Sequence, residues 1–284
     1  MSDSTHHTVS SQGDPVICDT LSRSMSVWHS FTLGFAVVSP VAGLYAIIGV
    51  QTVVAGGGWF SALAVCLLMQ LLVATVYAEL SSQFPIAGGA YKWARQLGGV
   101  IAGHYAGVIY ICSTIAMVTT TAYTGGFWLA VFSGLSNEGG GVMVFWGAIF
   151  LLLCTILNLA PVSIFNIVIK LGVYAEVVGS FGVALVLFFF FRQHSLDTLF
   201  QNMGTGTAPS EMAAFLAALA ISGWAFIGFD ACSTTAEETH HPKRMVPRAI
   251  FMSLLVVGTV VLFNSVALIL SFEHDTLRHS SHTS

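Results

Sequence analysis

Seven long apolar runs constrain this chain more than any other feature. They lie at about 29–50, 58–80, 100–124, 142–160, 168–191, 211–231 and 247–271. A helix that crosses a bilayer needs roughly 20 mostly apolar residues, and each run reaches or approaches that length. In hydrocarbon, backbone N–H and C=O groups must be satisfied without water, so only helices and closed barrels span. The runs are apolar in a single phase and lack the alternation of barrel strands. The expected fold is therefore all-α and integral to a membrane, with about seven transmembrane helices.

Composition removes the soluble classes. The chain is 55% hydrophobic and 8% charged, whereas a soluble domain carries about 25% charged residues. A formal net charge of −4, without a basic cluster, excludes a nucleic-acid binder. Five cysteines in 284 residues do not make a disulfide scaffold. Cys66, Cys112, Cys154 and Cys232 read as free, buried thiols, and Cys18 sits in a polar tail. Residues 1–26 are polar and carry no cleavable signal-peptide pattern.

Basic residues in the loops orient the spans. With the amino terminus in the cytoplasm, Arg23, Lys92, Arg95, Lys170, Lys243, Arg244 and Arg248 lie inside, and Arg192 and Arg278 lie outside. This orientation opposes that of seven-helix receptors. Span 7, Pro247 to Ser271, also lacks the lysine of a retinal protein. A multi-pass protein of the plasma membrane is expected.

Two spans carry signs of interruption at mid-membrane. Span 1 contains Ser39-Pro-Val-Ala-Gly43. Pro40 removes a hydrogen bond and crowds the preceding turn, and Gly43 is suited to the dihedrals that restart a helix. A kinked but continuous helix is the alternative. Span 6 reads Trp224-Ala-Phe-Ile-Gly-Phe-Asp230 and then turns small and polar. Gly228 can break the helix, and Asp230 needs a wet cavity, a partner or the water at the cytoplasmic end. Breaks at equivalent places in spans 1 and 6 point to inverted five-helix repeats and a binding site between them.

Two longer stretches carry a family resemblance. Ala78-Glu-Leu-Ser-Ser-Gln-Phe-Pro-Ile-Ala-Gly-Gly-Ala-Tyr-Lys-Trp93 joins spans 2 and 3. Phe226-Ile-Gly-Phe-Asp230 precedes Ala236-Glu-Glu-Thr-His-His-Pro-Lys-Arg-Met-Val-Pro-Arg-Ala-Ile250 at the entry to span 7. With them, the chain resembles the amino acid–polyamine–organocation transporter superfamily. Its span 1 is most similar to the branch that carries 4-aminobutyrate, choline and related compounds. The resemblance implies a five-plus-five inverted repeat, incomplete here. Residues 27–191 would form the first repeat, 192–210 an extracellular loop and 211–271 the start of the second. Residues 1–26 would form a cytoplasmic tail and 272–284 a polar carboxyl-terminal tail.

By that resemblance the activity is secondary transport of an amino acid or related amine, by alternating access and coupled to a proton or sodium. Substrate would meet freed backbone at Ser39, Pro40, Val41, Ala42 and Gly43, and at Phe226, Ile227, Gly228, Phe229 and Asp230. A half-helix amino terminus suits a carboxylate, and freed carbonyls suit an ammonium. The resemblance covers about half of a family member. It therefore leaves a second expectation, a truncated and transport-inactive chain that associates with a complete permease.

Other residues are read from their own chemistry. Glu176 lies deep in span 5, where it could relay a proton or neutralise Lys170 or another buried base. Glu79, Lys92, Arg95, Glu237, Glu238, Lys243, Arg244 and Arg248 form a cytoplasmic gate or structural set. Glu79 could pair with Lys92 or Arg95, and Pro247 suits the first turn of span 7. Gly99, Gly103 and Gly107 form a small-residue packing stripe. Tyr105, Tyr110 and Trp224 could line the cavity or simply pack. His29 and His104 lie near span ends, and Phe188 to Phe191 with Arg192 form an outer anchor. No phosphate-binding loop, zinc-binding helix or serine elbow is present, so no enzyme, cofactor or metal is expected. The expected partners are the substrate, a coupling ion and the lipid bilayer.

Overall fold

Among the described residues of the computed structural model, eight α-helices build seven crossings long and apolar enough for a membrane. The structure describes residues 27–55, 58–135, 139–199 and 207–271. Both tails, with Cys18, Arg23 and Arg278, lie outside the described residues, as do positions 200–206 and the side chain of His29.

Helices α1 (Val27–Val38) and α2 (Pro40–Ala55) together make span 1. Span 2 is α3 (Trp59–Gln83), span 3 is α4 (Gly89–Phe132) and span 4 is α5 (Gly140–Leu159). Span 5 is α6 (Val162–Phe190). Span 6 combines α7 (Glu211–Ser222) with two 3₁₀ segments, Gly223–Phe226 and Phe229–Glu238. Span 7 is α8 (Pro242–Ser271).

The core belongs to spans 1, 2, 6 and 7. Leu44, Leu63, Phe226, Ile250, Leu254, Val257 and Val261 are fully buried there. Polar side chains inside it tie elements together. The Gln51 amide donates to Ser222 Oγ at 3.0 Å, linking α2 to α7. Ser30 Oγ lies 3.2 Å from the hydroxyls of both Thr235 and Thr239, joining α1 to the second 3₁₀ segment. Spans 3, 4 and 5 instead present apolar side chains such as Val100, Ile101, Leu159 and Phe190 to the surroundings, as suits elements solvated by hydrocarbon. Spans 3 and 4 meet through Gly126 and Gly147, where an added Cβ would run into backbone of the facing helix.

Several expectations are corrected. Span 3 is longer than 100–124, and it bends at Gly99, whose φ of 81° and ψ of −176° interrupt the helix. The bend brings residues 89–98 back beside the main helix. A Cβ on Gly103 would crowd Arg95, and one on Gly107 would sit 3.0 Å from the Tyr91 ring. The stripe therefore divides: Gly99 is the bend, and Gly103 and Gly107 admit the folded-back segment. Span 7 starts at Pro242, so Pro242 takes the first turn and Pro247 lies inside the helix. Cys66 and Cys232 are buried, but Cys112 is exposed and Cys154 half-buried, and all four are free. At the far end of span 5 the Arg192 guanidinium stands 5.6 Å over the Phe188 ring. The Gln193 N–H closes onto the Leu270 carbonyl at 2.8 Å.

Candidate functional site

Span 1 breaks at Ser39, whose φ of 49° is left-handed. The new helix then begins with a serine cap and a proline. Pro40 occupies the first helical position, where its missing N–H costs nothing. Ser39 Oγ accepts the Ala42 N–H at 3.3 Å, the usual N-cap bond. The intervening Val41 N–H reaches across to span 5 and donates to Glu176 Oε1 at 3.2 Å. Ser39 Oγ also donates to that oxygen, at 2.5 Å. The donors of the first turn are thus satisfied without the carbonyls of the preceding helix, and the carbonyls of Ala36, Val37 and Val38 lose the partners of a continuous helix.

Gly43 is not the restart point. It lies inside α2, buried, and its bare Cα lets α2 approach span 6: an added Cβ would stand 3.1 Å from the Ala225 carbonyl oxygen. In span 6 the break falls at Ile227, which is extended, and Gly228, which has φ 107°. A Cβ on Gly228 would stand 2.7 Å from Val37 Cγ1 and 3.4 Å from the Val37 carbonyl. The two interruptions therefore touch, backbone against backbone. Beyond Gly228 the chain runs as 3₁₀ helix for ten residues, Phe229–Glu238. That length is unusual for this conformation, and mid-span 3₁₀ geometry often marks a hinge.

Beside the breaks lies a cavity of about 740 Å³. Ser39, Val41, Ala42 and Glu176 line one side of it, and Trp224 comes from span 6. Spans 3 and 4 add Thr121, Thr124, Trp128, Phe132 and Phe150, and α2 adds Tyr45. Glu176 meets no base among the described residues: its partners are a hydroxyl and a backbone N–H, and Lys170 is exposed elsewhere on the helix. The anticipated span 6 group separates. Phe226 and Phe229 are core residues, Ile227 is exposed, and Gly228 packs on Val37. Asp230 is half-buried, near Tyr110 and outside this cavity. Tyr105 and His104 are exposed, and neither they nor Tyr110 line the cavity.

The cytoplasmic set also rearranges. Phe84 ends α3, and Gly88 and Gly89, both with positive φ, make the turn into α4. Glu237 clasps this turn: its Oε1 accepts the Ala87 N–H at 3.0 Å and lies 3.6 Å from Lys92 Nζ. Glu79 pairs with neither anticipated base. It accepts the Gln83 amide at 2.6 Å, whereas Arg95 donates to the Tyr91 hydroxyl at 3.4 Å. Glu79 lines a second hollow, of about 460 Å³, with Lys243 and Arg248. Glu238 is half-buried and Arg244 exposed.

The paired breaks, the flanking cavity and the clasped turn form a coherent pattern, and a family model described as amino acid permease matches residues 26–283. The chain belongs to the amino acid permease family. Permeases similar to it include an aspartate–proton symporter of Bacillus subtilis, 26% identical over 90% of this chain and 49% of the relative. A branched-chain amino acid permease of the same organism is 26% identical over 89% of this chain and 55% of its own length. A low-affinity putrescine importer of Escherichia coli is 23% identical over 89% and 55%. The chain spans about half the length of these relatives. Membership of the permease family, with seven apolar crossings, makes it a multi-pass membrane protein of a transporter family rather than an enzyme.

The cavity's outer wall was not legible in the sequence. Thr121 and Thr124 left one signal, two hydroxyls a helical turn apart in an apolar run. Tyr45, Trp128 and Phe150 left none, because an aromatic residue facing a cavity and one packed on a neighbour look alike in sequence.

Proposed function

We propose that this chain builds the substrate cavity of a secondary transporter for amino acids or related amines. The observation that carries this reading is the meeting of two broken spans beside a cavity of about 740 Å³. The break at Ser39 opens onto this cavity, whose largely apolar lining suits the hydrocarbon part of a ligand. Spans 1, 2, 6 and 7 share one core, so they rock together against spans 3 to 5 and open the cavity to each side in turn. The clasp of Glu237 on Lys92 and the Ala87 N–H holds the side expected to be cytoplasmic. Glu176, at the break itself, is the candidate for proton coupling; the freed carbonyls are candidates for a coupling cation such as sodium. The named activities of the relatives, aspartate–proton symport and putrescine import among them, support the substrate range.

Uptake of labelled aspartate, leucine and putrescine into proteoliposomes, under a proton or a sodium gradient, tests the reading. Saturable uptake that is lost in Gly228→Trp is the expected result. No uptake from well-folded chain, together with co-purification of a longer permease, would replace it with the regulatory role.

A further inference from the structure

We propose that Glu176 is a specificity-determining residue that fills the anion site of the broken span from within, so that the cavity takes an organic amine lacking a carboxylate. This rests on the substrate-cavity reading above. The amino terminus of α2 is the natural seat for a ligand carboxylate, since a helix start offers unpaired N–H groups and the positive end of its dipole. Here that seat is taken. Pro40 has no N–H to offer, the Ala42 N–H goes to Ser39 Oγ, and the Val41 N–H and Ser39 hydroxyl both go to Glu176 Oε1. An entering carboxylate finds these donors engaged and a like charge 2.5 Å beyond the serine hydroxyl.

The rest of the cavity offers neutral donors, the hydroxyls of Thr121 and Thr124 among them, but no counter-charge. No Lys, Arg or His is among its described lining residues. A carboxylate on the ligand would therefore be desolvated without a counter-charge, a costly arrangement in an apolar site. A cation meets the opposite situation. Glu176 supplies negative charge, and because both of its bonds fall on Oε1, Oε2 is the oxygen available to a bound group. Tyr45, Trp128, Phe150 and Trp224 stand around the same volume. Aromatic faces attract ammonium groups, most strongly where water is excluded. One fixed carboxylate, several aromatic rings and no base describe a site for an amine, with the protein contributing the carboxylate that an amino acid would otherwise bring.

Matched ligand pairs isolate the carboxylate. Butylamine and 4-aminobutyrate share the amine and chain length; choline and glycine betaine share the trimethylammonium head. Binding of each to the purified chain in detergent is measured by calorimetry, without any requirement for flux. The carboxylate-free member of at least one pair is expected to bind at least tenfold more tightly. Glu176→Gln keeps an oxygen for the Val41 N–H and Ser39 hydroxyl but removes the charge, so it should weaken the amine at least tenfold and bring the pair near parity. Trp128→Ala, away from the cap, should weaken the amine several-fold and spare the ratio.

Tighter binding of 4-aminobutyrate or betaine than of its partner overturns the proposal. So does an unchanged ratio in Glu176→Gln, or no binding of any of the four by folded chain. Amine-selective binding without uptake would sink the transport reading alone. Uptake with a preference for the carboxylate-bearing member would sink this inference alone.

Discussion

Replacing Gly228 by alanine tests the contact between the two breaks. Gly228 has φ 107°, a conformation that an L side chain rarely adopts. A left-handed position costs a non-glycine residue about 1–2 kcal/mol. The new Cβ would also stand 2.7 Å from Val37 Cγ1, well inside van der Waals contact. Overpacking of this kind costs about 1–3 kcal/mol when neighbours cannot move, and the Val37 backbone lies just behind its side chain. Gly228→Ala should therefore destabilise the fold by about 2–5 kcal/mol. The Val37→Ala change removes the obstructing methyls but leaves the dihedral strain. In the Val37→Ala background, Gly228→Ala should then cost only about 1–2 kcal/mol. Unfolding of the purified protein in mixed micelles, followed by tryptophan fluorescence, reads all four corners of the cycle. A Gly228→Ala protein within about 0.5 kcal/mol of wild type would refute the strain argument. An equal cost in both backgrounds would refute the contact with Val37.

Two further outcomes follow from the same geometry. Ser39→Ala removes the cap on Ala42 and the hydroxyl bond to Glu176, so it should lower stability by about 1–2 kcal/mol in the same unfolding assay; no change would mean that water replaces the hydroxyl at no cost. Among the four described cysteines, an apolar maleimide should label Cys112 before Cys154, and Cys66 and Cys232 only on unfolding, and rapid labelling of Cys232 in folded protein would contradict the packing of span 6 on α1.

Hydropathy and punctuation carried much of the architecture, because crossing a bilayer imposes length and apolarity on each segment separately. Those are local properties, and the seven runs displayed them. The neighbourhoods of Ser39 and Gly228 were legible for a similar reason, since Pro40 and Gly228 act on their own backbone. Gly43 was misread because a glycine needed for its dihedrals and a glycine needed for its bare surface are identical in sequence. Its role depends on Ala225, which is distant along the chain and adjacent only after folding. Gly103 and Gly107 followed the same pattern, with the partner segment supplied by the bend at Gly99.

Charge pairing was the least legible property. Glu79 stands near Lys92 and Arg95 in sequence, yet Glu237 takes Lys92 from the far end of span 6. Glu176 showed the same limit most sharply. Its sequence marked it as a costly acid in hydrocarbon and suggested a nearby base to offset it. Folding instead set it against a helix start that sequence had already prepared, with a serine cap, a proline without N–H and unsatisfied donors behind it. The sequence alone thus determined the membrane, the spans and where two of them break, since each follows from residues close along the chain. Tertiary structure decided what the breaks face, because the partner of a freed backbone group is chosen by packing between spans and not by the span that carries it.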